Sequence, residues 1–221
     1  MDRYALGKKG GRNITIVTLV SGGIDSLVMS KIIDLQGEEQ MPIFIDYGQL
    51  AREREWLACR RVLEKSNLPK PVKIDLSGYG QLMSSGITDS AKDIHDDAFL
   101  PGRNLLFLVV AGAYAHYRGV EKVAIGLLSE KFHLFPDQTG RFVVNANIAI
   151  NEALNDSIAI VTPLINFTKS DVISLAKRYG LALNETYSCH SGEEKYCGRC
   201  VSCLEIINSV GKDLPQFDDK R

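Results

Sequence analysis

The chain has no long apolar run: its longest, Leu105 to Ala115, is interrupted by Gly112 and is too short to cross a bilayer. An excess of one charge is missing too. Lys and Arg total 26 against 27 for Asp and Glu, a net charge of −1, so no general field draws a phosphate backbone and a nucleic-acid substrate is disfavoured. Internal repeats and low-complexity segments are absent, and a composition of 45% apolar and 24% charged residues argues against disorder except at the ends. Nor is a cleavable leader signal expected. Arg3, Lys8 and Lys9 precede an apolar stretch that reads as a strand running straight into a glycine turn, and cytoplasmic location is the default expectation.

The stretch Thr15 to Ser26 carries the most information. A β-rich run ends in Ser21-Gly22-Gly23-Ile24-Asp25-Ser26 and then enters a helix. At such a junction the turn and the first helical residues present free N–H groups, and two glycines let the backbone approach an anion closely. Ser21 and Ser26 can add hydroxyl donors, and Asp25 can hold a metal or orient a nucleotide group. A Walker A loop is excluded, since no Gly-Lys-Ser/Thr follows. The string resembles the pyrophosphate-binding PP-loop of the N-type ATP pyrophosphatases, which implies ATP cleavage to AMP and pyrophosphate.

Strands and helices alternate along the rest, which predicts a mostly parallel sheet covered on both faces. Strands are expected at 13–20, 41–45, 72–76, 122–126 and 158–162, with helices at 27–35, 51–65, 105–118, 142–154 and 170–178. In the helix 51–65, Trp56, Cys59 and Leu63 are spaced for one buried face, with Glu and Arg on the other and Cys59 as a small buried hydrophobe. The Gly- and Ser-rich stretch up to Leu100 lacks periodicity and is a candidate loop or lid. Ser129, Glu130, Lys131, His133 and Asp137 follow the fourth strand, where ligands of open α/β sheets gather.

Four of the five cysteines cluster as Cys189-x7-Cys197-x2-Cys200-x2-Cys203. Four thiolates make a closed tetrahedral shell for zinc, a structural rather than water-activating site. Disulfides are disfavoured by the expected compartment, and an iron–sulfur cluster is compatible with the spacing although the further Cys-Pro of the ferredoxin run is lacking.

The PP-loop and the cysteines, with Asp46-Tyr47-Gly48-Gln49, Leu100-Pro101-Gly102-Arg103-Asn104, Phe135-Pro136-Asp137 and Asn184-Glu185-Thr186 between them, resemble the 7-cyano-7-deazaguanine synthase (QueC) family. The resemblance runs from about residue 13 to residue 208. It implies a Rossmann-like ATP-pyrophosphatase domain over 1–183 and a C-terminal zinc-binding segment over 184–221. The implied reaction uses ATP and Mg²⁺ to convert 7-carboxy-7-deazaguanine and ammonia, through an amide, into the nitrile. Ser21, Gly22, Gly23, Asp25, Ser26 and Lys169 are the expected ATP residues, with Asp25, Ser26 and Lys169 catalytic. Arg103, Asn104 and Asp137 are expected at the substrate, and Cys189, Cys197, Cys200 and Cys203 at Zn²⁺. Plainer alternatives are a solvated helix-start lysine for Lys169, a surface arginine for Arg103 and a capping aspartate for Asp137. A homodimer is expected, with no membrane partner.

The chain also departs from the family pattern. Leu50 and Ala51 follow Gln49 where a basic residue and His are usual, and Lys131-Phe132 and Gln138 flank Pro136-Asp137 where Asp-Phe and Cys are usual. These changes surround the substrate end, so a QueC-like paralogue that joins the activated carboxylate to an amine of another molecule, even a protein, stays open. A tRNA-modifying PP-loop enzyme is opposed by the neutral charge, and a binding protein with a relic nucleotide fold by the presence of Asp25, Ser26 and Lys169.

Overall fold

The computed structural model describes residues 14–129 and 135–211. The expectations attached to Glu130, Lys131, Phe132 and His133, and to the termini, lie outside these residues. Five parallel strands form one sheet: β1 Ile14–Leu19, β2 Glu39–Asp46, β3 Val72–Asp75, β4 Lys122–Ala124 and β5 Ala159–Val161. Their order is β3-β2-β1-β4-β5. The chain therefore winds outward in one direction from β1 to β3 and in the other from β4 to β5. The reversal point lies between β1 and β4, where open α/β sheets leave a crevice at the carboxyl ends of the strands.

Helices cover both faces: α1 Ile24–Leu35, α2 Arg52–Lys65, the short α3 Gly78–Leu82, α4 Arg103–Arg118, α5 Gly140–Leu154, α6 Lys169–Arg178 and α7 Val201–Val210. The alternation of the strands decides which face each residue joins. Val17, Leu19, Ile43 and Val123 pack under Leu108, Ala111 and Ala115 of α4 and Ala146 and Ile150 of α5. Ile16 and Ala124 point the other way, against Val28 and Met29 of α1, Val172, Ile173 and Ala176 of α6 and Ile206 of α7. Phe44 and Leu27 meet Cys59, Val62 and Leu63 of α2.

Five strands and five helices lie where the sequence places them, with shifted ends. Four helices begin earlier than their apolar periodicity: α5 at Gly140 and, beside the crevice, α1 at Ile24, α4 at Arg103 and α6 at Lys169. The first turns of the last three carry polar residues because those turns border the crevice. The stretch before Leu100 holds α3 and a series of turns closed by side chains, such as Ser77 N–H to Asp75 Oδ1 at 2.9 Å and His95 N–H to Asp93 Oδ1 at 2.7 Å. Helix α7 was not expected, and it matters below.

Candidate functional site

The turn after β1 is fixed by its own hydroxyls. Ser26 Oγ accepts from Ser21 N–H at 3.2 Å and donates to Gly23 O at 3.2 Å, while Gly23 N–H donates to Ser21 Oγ at 3.3 Å. Gly22 has φ of +83°, and a Cβ there would sit 2.5 Å from Glu55 O and 2.6 Å from Cys59 N. Glycine is thus required twice, for the backbone conformation and for contact with α2. Gly23 caps α1 with no side chain of its own, which leaves the first N–H groups of that helix directed at the crevice.

Lys169 comes from α6, which packs beside α1 on the same face of the sheet. Thr168 and Asp171 form a capping box at the start of α6, with Thr168 Oγ1 accepting from Asp171 N–H at 3.2 Å and Asp171 Oδ2 accepting from Thr168 N–H at 2.8 Å. Lys169 Nζ then donates to Asp25 Oδ1 and Oδ2 at 2.7 and 2.6 Å and pairs with Glu205 Oε2 at 3.0 Å. Burial works to lower the lysine's pKa, but the two carboxylates outweigh it and hold it above the usual range. The ammonium is a fixed charge beside the turn, not a solvated helix-start lysine.

A cavity of about 240 Å³ opens between the turn, α2, α4 and the cysteine segment. Ser21, Asp25, Ser26, Arg103 and Asn104 all line it, so the structure brings these expected residues together. Arg103 donates to Tyr47 Oη at 3.4 Å and lies 5.7 Å from that ring's centroid. Glu55, Gln49 and His190 share the walls and were missed in the sequence. Glu55 lies on the buried side of α2 with Ala58, Cys59 and Val62, contrary to the expected placing of every acidic residue of that helix on the open face. Gln49 Nε2 donates to Glu55 Oε2 at 2.8 Å, and burial pushes the Glu55 carboxyl up to about 7. A single acid among apolar residues at helical spacing was the signal available. Burial likewise pushes His190 down to about 4, and its Nδ1 has no hydrogen-bond partner among the described residues.

Asp137 is placed differently from the other substrate candidates. Its Oδ2 accepts Asn104 N–H at 3.1 Å and its carbonyl accepts Asn104 Nδ2 at 2.9 Å, beneath the first turn of α4. It is 9% exposed and does the work of a cap, holding Asn104 and Arg103 at the cavity mouth. A second cavity, about 600 Å³, is reached past Asp25, Gly126, Leu127 and Gln138, which border both, and runs along Lys169, Glu205, Leu204 and Asn208.

The four C-terminal cysteines converge as expected. Their sulfur atoms all lie within 4.8 Å of one another, and none is in a disulfide. Tetrahedral zinc with bonds of about 2.3 Å needs sulfurs about 3.8 Å apart, so the set fits that ion after slight contraction. Backbone N–H groups of Cys197, Cys200 and Cys203 point at the sulfurs of Cys189, Cys197 and Cys200 at 3.3, 3.3 and 3.4 Å, the outer-shell pattern that steadies thiolates. Hydrogen bonds from Cys200 and Cys203 hold the Cys189 thiol far below its ordinary range. The segment also touches the turn after β1, since Tyr187 N–H donates to Gly22 O at 3.0 Å.

Comparison with known proteins agrees with this geometry. A family profile described as "Queuosine biosynthesis protein QueC" matches residues 15–208. A 7-cyano-7-deazaguanine synthase of Nautilia profundicola is 32% identical over 197 residues, covering 85% of this chain and 89% of its own. One from Aliarcobacter butzleri is 29% identical, covering 90% and 93%. Among solved structures, an NMN synthetase of Francisella tularensis superposes with a TM-score of 0.54 at 14% identity, covering 94% of this chain and 88% of its own. An NH3-dependent NAD synthetase of Campylobacter jejuni, in complex with nitrate, gives 0.52 at 15%, covering 81% and 72%. These two likenesses concern the fold, whereas the profile spans the phosphate turn, Lys169, the crevice residues and the cysteines alike. The chain belongs to the QueC family.

Proposed function

We propose that the protein uses ATP to adenylate the carboxylate of 7-carboxy-7-deazaguanine and converts it with ammonia, through an amide, to 7-cyano-7-deazaguanine, with release of AMP and pyrophosphate. The observation that carries the reading is the PP-loop at the sheet's reversal point, with Lys169 and Asp25 paired beside it, in a chain of this family. A carboxylate oxygen is a poor leaving group. Attack of that oxygen on the α-phosphorus expels pyrophosphate and turns it into the oxygen of AMP, which ammonia then displaces with loss of a proton. A second ATP treats the amide oxygen in the same way with loss of pyrophosphate, and departure of AMP and of both amide protons leaves the nitrile.

The N–H groups of Gly22, Gly23 and the first turn of α1, the Ser21 and Ser26 hydroxyls and the Lys169 ammonium form the set for the departing phosphates. Asp25 fits Mg²⁺, which would supply charge neutralisation on those phosphates. Arg103 offers a planar fork to the substrate carboxylate from the cavity wall. For the paired N–H donors of a guanine-like edge, the acceptors on that wall are Glu55 and Gln49, with Asp137 supporting Asn104 from below. Zn²⁺ at the four cysteines would hold segment 184–221 as a unit against the ATP-pyrophosphatase domain, 1–183.

A second reading draws support from the 600 Å³ cavity that borders Asp25, since ammonia needs no space of that size. There the adenylated carboxylate is joined to an amine of a larger molecule or a protein and the product is an amide. We also propose a homodimer, supported by the exposed apolar pairs Leu105 and Val109 on α4 and Val144 and Ile148 on α5. The test is incubation of the purified protein with MgATP, ammonia and 7-carboxy-7-deazaguanine, followed by mass detection. Nitrile, AMP and pyrophosphate support the first reading. AMP with an amide that forms only when a larger amine is added supports the second, and no AMP overturns both.

A further inference from the structure

Lys169 is held by a residue from outside the PP-loop domain. Its Nζ has three protons. Its partners are Asp25 Oδ1, Asp25 Oδ2 and Glu205 Oε2, at 2.7, 2.6 and 3.0 Å. The lysine side chain is 5% exposed, whereas those of Asp25 and Glu205 are 30% and 33% exposed, so the cation lies beneath two carboxylates that both face the larger cavity. Glu205 stands on α7, two residues beyond Cys203, and α7 is packed on the sheet through Ile206.

A buried ammonium that has lost its water needs a counter-charge at every stage. Asp25 supplies it here, yet Asp25 is also the carboxylate that the ATP reading assigns to Mg²⁺. Once Asp25 turns to the metal, Glu205 is the carboxylate left, among the described residues, within bonding distance of Lys169. Without it the lysine would be free to follow Asp25 or to withdraw from the turn. We infer that Glu205 is a positioning residue, one that keeps the Lys169 ammonium at the phosphate turn while Asp25 exchanges the lysine for the magnesium nucleotide. This rests on the ATP reading above. It makes α7, and with it the cysteine segment, a part of the ATP site.

The experiment is calorimetric titration of MgATP, with no deazaguanine present, into the parent, Glu205→Gln, Glu205→Ala, Lys169→Met and the Lys169→Met/Glu205→Ala double variant. Melting temperature and metal content are measured on each. Both Glu205 variants are expected to bind MgATP more weakly by on the order of tenfold, the size of a coupling between contacting charges. The double variant should bind no more weakly than Lys169→Met alone, because Glu205 acts through that lysine. A merely structural role would lower the melting temperature without this non-additivity. Should Glu205→Ala lose its metal or its fold, Glu205→Gln, of nearly the same shape, carries the comparison. Parent-like MgATP affinity in Glu205→Gln, or effects that add in full, overturns the inference alone. A parent that binds no MgATP overturns the ATP reading and the inference with it.

Discussion

Gly22 and Glu55 face each other across the phosphate turn and impose opposite demands on the side chain. At Gly22 any Cβ would press into the backbone of α2 at 2.5 and 2.6 Å from a residue already at φ of +83°, and backbone atoms cannot rotate away. Gly22→Ala is expected to cost about 1 kcal/mol or more from the backbone conformation alone. It should also abolish MgATP binding, to be read by a melt and a titration on the same sample. Glu55 is a carboxyl whose folded pKa, about 7, lies above its ordinary value of 4.5 because burial disfavours the anion. The folded state therefore binds the proton more tightly. Its contribution to stability is full below pH 4.5 and is lost as pH rises through 7, with a slope of at most about 1.4 kcal/mol per pH unit between those values. Glu55→Gln should flatten this part of a urea-midpoint profile against pH, and an unchanged profile would show that the carboxyl titrates normally. At this scale the sequence displays the turn after β1 well, because that turn is built from consecutive residues. It displays the facing wall of the 240 Å³ cavity poorly. Glu55, Gln49, His190 and Arg103 meet only through folding, and the role of Asp137 as the cap beneath Asn104 depends on a contact across 33 residues.

Among the elements, α6 shows how a helix start aims a functional side chain. Thr168 and Asp171 satisfy each other's backbone N–H groups, which fixes the first turn and sends Lys169 back toward Asp25. Thr168→Ala should destabilise the protein by about 1 kcal/mol, the usual cost of a lost cap. It should also weaken MgATP, since the lysine loses its defined origin, whereas Thr168→Ser should restore both. A variant that melts lower but binds MgATP as the parent does would separate the cap from the site. The regular elements were legible because β1, β2, α1 and α4 have apolar patterns long enough to show their period, and Gly37 and Gly119 mark the ends of two helices. Helix α7 was not legible. Its ten residues begin inside the cysteine pattern, with Cys200 as N-cap and Cys203 in the first turn, so ligand spacing hid helical spacing. Missing α7 meant missing Glu205 as well.

For the whole molecule, the question is whether the cysteine segment is an appendage or a wall of the active site. Among the described residues the segment is bound to the rest at several separate places, four of them near the crevice or on the helices beside it. Tyr187 N–H donates to Gly22 O in the phosphate turn, Glu185 pairs with Arg61 at 2.9 Å and with Lys65 on α2, Glu205 pairs with Lys169, and Ile206 is buried against α1 and α6. A Cβ at Gly192 would meet Leu50 O at 2.5 Å, so the loop between the first two cysteines lies directly on the start of α2. With so many contacts at the crevice, loss of the zinc proposed for Cys189, Cys197, Cys200 and Cys203 should be felt in the proposed nucleotide site. Metal binding energy in a segment this small is folding energy. Removing the ion with a chelator, or replacing Cys203 with Ser, is expected to lower the melting temperature by several degrees, as about 1 to 2 kcal/mol does in a chain of this size. The same treatment should weaken MgATP several-fold, and readdition of zinc after chelation should restore both. A chelated protein that melts lower but keeps parent-like MgATP affinity would show the segment to be an appendage, with Glu205 held on Lys169 by the packing of Ile206 alone.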